Sequence, residues 1–279
     1  LGSEGLVDLE QTDILDVHAR QLQQLGNRIG RSHAHFIRAA AHGGVILQFG
    51  DRFQAQFLDH VLAHDHRGGR AVGVGPNLGL ASYQVFEDAG GAHDAVLWWA
   101  ILDAADSDQG FEVINMSLGG YGNFAEHHEL SAAAWTAWNR VIGYAIRQGV
   151  TVVASAGNDA ISTNGAVFHI PGDIPGTINV AGTAIRPDPI FPQTDGYDIQ
   201  AFYSNSGASV NLVAPGGDWG PEGDLLKVLP SGYLGMHYGV ATTYWHDQYA
   251  FAVGNSFATS HVAGAAGLIL DENPGLSPR

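Results

Sequence analysis

The residues best suited to chemistry in this chain are a serine before an apolar stretch and an asparagine in a glycine-containing turn. Ser256 precedes small and apolar residues that carry no charge before Asp271. Such a run predicts a helix that begins near Ser256 and is buried on nearly all sides. The free N–H groups and positive dipole end of its first turn favour negative charge, which suits a nucleophile. The alternative is that Ser256 is only a helix N-cap.

Asn158 lies in the turn that follows the apolar run at 150–154. Acyl transfer on an amide or ester needs a nucleophile, a base, a group that orients the base, and donors for the developing oxyanion. The side-chain NH2 of Asn158 and the backbone N–H of Ser256 are candidates for those donors. Asn158 is equally consistent with ordinary turn chemistry.

The elements that must position these residues are predicted from hydrophobic periodicity, which becomes clear after residue 71. Strands are predicted at 80–86, 113–118, 150–154, 178–181 and 210–214, and helices at 92–103 and 131–148. Weaker signals upstream indicate helices at 13–25 and 53–64 and a strand at 45–49. The alternation predicts an α/β fold of three layers, an open and mostly parallel sheet with helices on both faces. Functional side chains of such sheets gather in the loops that follow the strands.

Composition limits the classes of function. The chain has 279 residues, 45% of them hydrophobic, so we expect a single domain with a sizeable core, in which residues 1–70 are atypical. A net charge of -16 argues against nucleic acid and anionic membrane surfaces as partners, and a monomer is expected. The absence of cysteine excludes disulfides and thiol catalysis. No apolar run reaches membrane-spanning length, and the start at Leu1 suggests a mature or truncated form.

Three sequence motifs carry a specific resemblance. They are Val-Ile-Asn-Met-Ser-Leu-Gly-Gly at 113–120, Val-Val-Ala-Ser-Ala-Gly-Asn-Asp at 152–159 and Gly-x-Ser-x-Ala-x-x-His-Val-Ala-Gly at 254–264. In order and spacing they resemble the subtilisin-like serine peptidases, and the resemblance spans roughly residues 70–270. The third motif departs from the family pattern at Asn255, Phe257 and Ser260, and none of these changes removes a catalytic group.

The resemblance implies roles for the matching residues. Ser256 corresponds to the nucleophile and Asn158 to the oxyanion donor. The stretch Ser117-Leu118-Gly119 corresponds to the edge that pairs with an extended substrate backbone. The stretch Ser155-Ala156-Gly157 corresponds to the facing wall of the pocket for the residue before the scissile bond. Because glycines line this pocket on both sides, we expect room in it for a large apolar side chain.

The base and the carboxylate that orients it are harder to identify. In the family the triad follows the chain order Asp, His, Ser, so both residues should precede the nucleophile, but the usual histidine motif of the family is absent from this sequence. His60, His64 and His66 are candidates, and the spacing to Gly73 favours His60. A competing alignment puts Phe57 at that position, which would give an inactive protein. The same histidines are also consistent with a metal site, although a solvated polar loop is the commoner outcome for such a cluster.

Asp13 is preferred slightly over Asp8 as the orienting carboxylate, with Asp51 as a further alternative. The segment at 45–50 looks like the family's aspartate strand with Gln48 in the key place. A displaced triad, an inactive protein, and a sequence altered or truncated upstream of residue 71 all explain this mismatch, and we favour the last.

The sequence therefore predicts a secreted, extracellular serine endopeptidase that acts on polypeptides through an acyl-enzyme on Ser256. The alternative is an inactive protein of the same fold that binds peptides. No cofactor is required, and calcium is possible by resemblance. The acidic stretch at 218–224 could hold calcium or simply be solvated.

Overall fold

The computed structural model describes residues 45–50, 73–87, 91–108, 110–184, 199–218, 239–244 and 248–278. The helices predicted at 13–25 and 53–64 lie outside these ranges. The expectation of a single domain that includes residues 1–70 stays a prediction.

Within these ranges the chain forms strands and helices that we number in order. The strands are β1 (Val45–Gly50), β2 (Gly79–Gln84), β3 (Phe111–Met116), β4 (Gly120–Asn123), β5 (Thr151–Ser155), β6 (Val167–Ile170), β7 (Ile178–Ala184), β8 (Ile199–Gln200), β9 (Leu212–Pro215), β10 (Val240–Tyr244) and β11 (Gln248–Ala252). The helices are α1 (Asp94–Ala105), α2 (His128–Arg147) and α3 (Asn255–Glu272).

The main sheet has the strand order β2-β1-β3-β5-β7-β8, and β9 also pairs with β7. All of its pairs are parallel except β7 with β8. The strands β4 and β6 form a separate antiparallel pair, as do β10 and β11. Because the main strands are parallel, the loops after β1, β3 and β5 leave the sheet at one edge.

Alternating side chains on the central strands explain why helices cover both faces. Ile114 and Met116 of β3 pack in one apolar cluster with buried side chains of α1 and α2. Val113 of β3 packs in a second cluster with Ala258 and Ala263 of α3. Since successive strand residues point to opposite faces, this division confirms the predicted three-layer α/β fold.

The predicted elements after residue 71 are all present, with ends shifted by up to three residues. β1 lies between β2 and β3 in the sheet. The helix α1 therefore connects two strands, β2 and β3, that are not neighbours. The pairs β4/β6 and β10/β11 and the strand β8 were not predicted. The expectation that α3 is buried on nearly all sides is wrong, since Leu268 and Ile269 are 37% and 55% exposed.

Candidate active site

Ser256 is the second residue of α3 and is partly exposed. The N-cap residue is Gly254, so the alternative role of Ser256 as the cap is wrong. Gly254 has φ of +150°, a conformation that side chains with a Cβ rarely adopt. This glycine lets the chain turn sharply from β11 into the helix, so that Ser256 lies in its first turn.

Asn158 lies beside the start of the same helix, on the loop after β5. Its side-chain oxygen accepts a hydrogen bond from the backbone N–H of Asn255 at 2.9 Å. A Cβ built on Gly254 would lie 3.6 Å from the Asn158 amide nitrogen and 3.8 Å from the Ser256 backbone nitrogen. The structure therefore brings the two predicted oxyanion donors to one small region, although they are 98 residues apart in sequence.

Ser117 holds the loop after β3 against Ser256. The Ser256 hydroxyl donates to the Ser117 carbonyl oxygen at 3.2 Å, and the Ser117 hydroxyl donates to the Ser256 carbonyl oxygen at 2.8 Å. The Asn115 side chain, fully buried in β3, donates to the Ser117 hydroxyl at 3.0 Å. The family resemblance predicts substrate contact for Ser117 and no part in the site for Asn115.

Asn255, which in sequence is only a departure from the family pattern, is a positioning residue in the structure. Its buried side-chain NH2 donates to the Gly157 carbonyl at 2.6 Å and to the Ser204 hydroxyl at 3.1 Å. It therefore joins the start of α3 to the loop after β5. Its position directly before Ser256 in the sequence was the available signal.

The two predicted pocket walls lie side by side, since the Ser155 hydroxyl donates to the Leu118 carbonyl at 3.3 Å. The space beyond that bond is occupied by the His169 ring. A Cβ on Gly119 would lie 2.2 Å from Cε1 of His169, and a Cβ on Gly157 would lie 3.0 Å from Cδ2. The expected room for a large apolar side chain between the walls is therefore not found.

His169 is buried at 3% exposure, and burial lowers its pKa from the ordinary value of 6.5. Its Nδ1 is buried without a hydrogen-bond partner, and nearby Asp173, Asp159 and the Ser155 backbone oppose the lowering of its pKa. The lowered pKa favours a neutral ring at neutral pH.

A cavity of about 870 Å³ borders the first wall on its other side. Leu118, Gly119 and Tyr121 contribute to its lining, together with apolar residues of α2 and β6. None of Ser155, Ala156 and Gly157 lines it. The cavity is thus distinct from the gap between the two walls.

The predicted base and its orienting carboxylate lie outside the described residues. This applies to His60 and Asp13 and to the alternatives His64, His66, Asp8 and Asp51. His261 of α3 is a different case, because its Nδ1 lies 2.8 Å from the Phe257 carbonyl oxygen. Burial lowers the pKa of His261, and the imidazole ring is engaged by the backbone of its own helix.

Two further properties concern the described ranges alone. There, no group of three or more His, Asp or Glu side chains is arranged to hold a metal ion. None of the helices in this part of the chain combines the length and apolar character that a bilayer crossing requires.

The sheet, its two helical layers and the loops gathered at its carboxyl edge define a protein of the subtilisin-like α/β class. The Peptidase_S8 model, which describes the subtilase family, matches residues 60–279. The chain belongs to the subtilase family.

Named relatives agree with this membership. Subtilisin E of Bacillus subtilis is 28% identical over 207 residues, which cover 73% of this chain and 42% of that protein. An extracellular protease of Xanthomonas campestris pv. campestris is 32% identical over 163 residues, covering 58% of this chain and 22% of that protein. The chain thus spans less than half the length of these two relatives.

Solved structures show the same fold. The epidermin leader peptide processing serine protease of Staphylococcus aureus has a TM-score of 0.66 at 21% identity, covering 84% of this chain and 67% of that one. A protease of Pseudoalteromonas arctica has a TM-score of 0.60 at 26% identity, covering 81% of this chain and 60% of that one.

Proposed function

We propose that this chain is a serine endopeptidase that hydrolyses extended polypeptides through an acyl-enzyme on Ser256. The observation that carries the proposal is the position of Ser256 in the first turn of α3, with the Asn158 amide beside the same turn. The helix N-terminus and the amide NH2 both favour the negative charge that develops on an attacked carbonyl oxygen.

The chemistry has two stages. The Ser256 hydroxyl oxygen attacks the substrate carbonyl carbon while its proton passes to a histidine. The C–N bond then breaks as the histidine returns the proton to the leaving amine, which leaves an ester on Ser256. Water attacks the ester with the same histidine as base, and release of the acid restores the hydroxyl.

The oxyanion would be held by the Ser256 backbone N–H and the Asn158 side-chain NH2. The Asn158 oxygen is already engaged by the Asn255 N–H, which fixes the orientation of the amide. Its NH2 group is consequently the end that remains for a substrate. Such a preorganised donor costs no reorganisation during the reaction.

For the base we propose His60, with His64 and His66 as alternatives, and for its orienting carboxylate Asp13, with Asp8 and Asp51 as alternatives. β1 adds an argument for Asp51, which follows Gly50 directly in the chain. Phe49 of β1 is paired with Met116 of β3, so the chain leaves β1 level with Ser117. Replacing each of these side chains by alanine, one at a time, tests the assignment.

A fluorophosphonate probe tests the proposal at its centre, because the probe reacts with an activated serine hydroxyl. We expect wild type to be labelled at Ser256 and the variant Ser256→Ala to be unlabelled. Ser260→Ala is the matched control, since Ser260 lies one turn further along α3 and is fully buried. Labelling elsewhere, or none in the folded wild type, contradicts the proposal.

Secretion, a polypeptide substrate and a monomeric state belong to the same proposal. The net charge of -16 suits a soluble extracellular enzyme. No cofactor takes part in the proposed chemistry. Calcium at the acidic stretch 218–224 stays a prediction, and a shift in melting temperature on adding calcium or a chelator would test it.

A specific observation favours a second candidate function, a peptide-binding protein without turnover. The Ser256 hydroxyl donates to the Ser117 carbonyl, so this bond must be exchanged for one to a base before reaction. Measuring peptide affinity and turnover together separates the two functions. Binding with no burst of acyl-enzyme selects the second.

A further inference from the structure

The gap between the walls 117–119 and 155–157 is filled by two aromatic side chains. Tyr121 of β4 is paired directly with His169 of β6 across an antiparallel ladder. Their ring centroids are 4.9 Å apart. The pair β4/β6 thus carries both rings to the same place.

Each wall contacts this ring pair through a glycine. A Cβ on Gly119 would lie 2.4 Å from Nε2 of His169, and a Cβ on Gly157 would lie 2.6 Å from the Tyr121 hydroxyl oxygen. One added carbon atom would collide with the His169 ring at Gly119, and at Gly157 it would collide with the Tyr121 hydroxyl and with the Asn205 amide nitrogen, which lies nearer still at 2.4 Å. The glycines therefore accommodate side chains of the protein itself.

Hydrogen bonds hold the ring pair in place. The Tyr121 hydroxyl donates to the Asp159 carboxylate and accepts from the Asn205 amide at 2.7 Å. The backbone N–H of His169 donates to the Asp173 carboxylate at 2.7 Å. Moving the Tyr121 ring to admit a substrate side chain would break its two hydrogen bonds, and moving the His169 ring would displace a side chain that is only 3% exposed.

We propose that His169, with the tilted Tyr121 ring packed against it, closes the pocket for the residue before the scissile bond, so that this chain cleaves after glycine, alanine or serine. The inference rests on the proposed function and adds the substrate class. A pocket filled by a buried ring excludes a benzyl or isobutyl side chain by overlap, because packed interiors yield little.

The first experiment compares peptide anilides that differ only in the residue before the anilide, which is alanine, leucine or phenylalanine. For wild type we expect kcat/KM for alanine to exceed that for phenylalanine by at least about 10-fold. Equal rates, or a preference for phenylalanine or leucine, overturn the inference.

Two variants at one position then separate the volume of the ring from the other properties of histidine. His169→Ala removes the ring, whereas His169→Phe keeps an aromatic ring without its nitrogen atoms. We expect the alanine-to-phenylalanine ratio to fall by about 10-fold or more in His169→Ala and to persist in His169→Phe. The same fall in both variants contradicts the steric explanation.

Should His169→Ala fail to fold, Tyr121→Ala supplies the second opening variant, because Tyr121 is 43% exposed and less deeply packed. The same fall in ratio is expected there, and an unchanged ratio counts against the ring pair. Fluorophosphonate labelling distinguishes a failure of the closed-pocket proposal from a failure of the peptidase proposal. A labelled Ser256 with a preference for large residues refutes only the closed pocket, whereas an unlabelled folded protein refutes the peptidase.

Discussion

Ser117 and Ser256 bond each other twice, each hydroxyl donating to the other residue's carbonyl oxygen, across 139 positions of sequence. This reciprocal pair fastens the loop after β3 to the first turn of α3. It fixes the separation between the proposed substrate-binding edge and the proposed nucleophile.

Replacing Ser117 by alanine should loosen this junction. The change removes the bond to the Ser256 carbonyl and takes one acceptor from the buried Asn115 amide. We expect the free energy of unfolding to fall by about 1 to 3 kcal/mol, measured by urea denaturation. Thr136→Ala is the control, because the Thr136 hydroxyl bonds only within the exposed face of α2. Equal losses in the two variants would contradict the structural role of Ser117.

Replacing Asn158 by aspartate should separate its two roles. Aspartate keeps an oxygen for the Asn255 N–H but has no NH2 to donate to an oxyanion. We expect turnover to fall at least about 10²- to 10³-fold, the cost measured for one such donor in a subtilisin, while KM changes little. Melting temperature should stay close to wild type in Asn158→Asp and fall further in Asn158→Ala. Unchanged turnover in the aspartate variant would remove Asn158 from the oxyanion site.

Asn205 joins three segments around the pocket, so its truncation should be costly. Its oxygen accepts from the Asp159 and Ile161 backbone N–H groups, each at 3.1 Å, and its NH2 donates to the Ala156 carbonyl at 2.8 Å. We expect Asn205→Ala to lower the free energy of unfolding by about 3 kcal/mol, since several buried groups lose their partners.

Asn164→Ala is the matched control for Asn205→Ala. Asn164 also accepts a backbone hydrogen bond, from Ala208, but lies exposed to water. Water can replace that bond, so a loss below about 1 kcal/mol is expected. The prediction fails should the exposed asparagine prove the more costly of the two.

Burial of His169 should make stability depend on pH. Its pKa is lowered by burial, against the opposing influence of Asp173 and Asp159, so between that value and 6.5 the unfolded chain binds more protons at this site. The free energy of unfolding should therefore fall as pH drops below about 6.5, by up to about 1.4 kcal/mol per pH unit from this group. Tyr121, with its pKa raised to about 12 by burial and by its bond to Asp159, stays neutral throughout.

His169→Phe isolates that contribution from those of the other histidines. Urea denaturation at pH 7 and pH 5 should show a smaller loss in the variant than in wild type. An identical loss would mean that His169 titrates alike in the folded and unfolded states.

The sequence by itself predicted the layered architecture and the proximity of Ser256 and Asn158. The unbroken apolar run at 150–154 predicted a strand covered on both faces, and the resemblance of three motifs to the subtilisin-like peptidases implied that Ser256 and Asn158 meet at one edge. Both inferences work because strand periodicity and loop motifs are local properties that the chain carries in consecutive residues.

Only the tertiary structure decided what fills the space around those residues. His169 lies between Gly119 and Gly157 because β4 and β6 pair, and no local sequence pattern predicted that pairing. Asn255 turned out to hold the loop after β5, a contact across 98 positions. Such contacts depend on how distant segments pack, and a glycine that implies open space in sequence can equally mark the place where another side chain already stands.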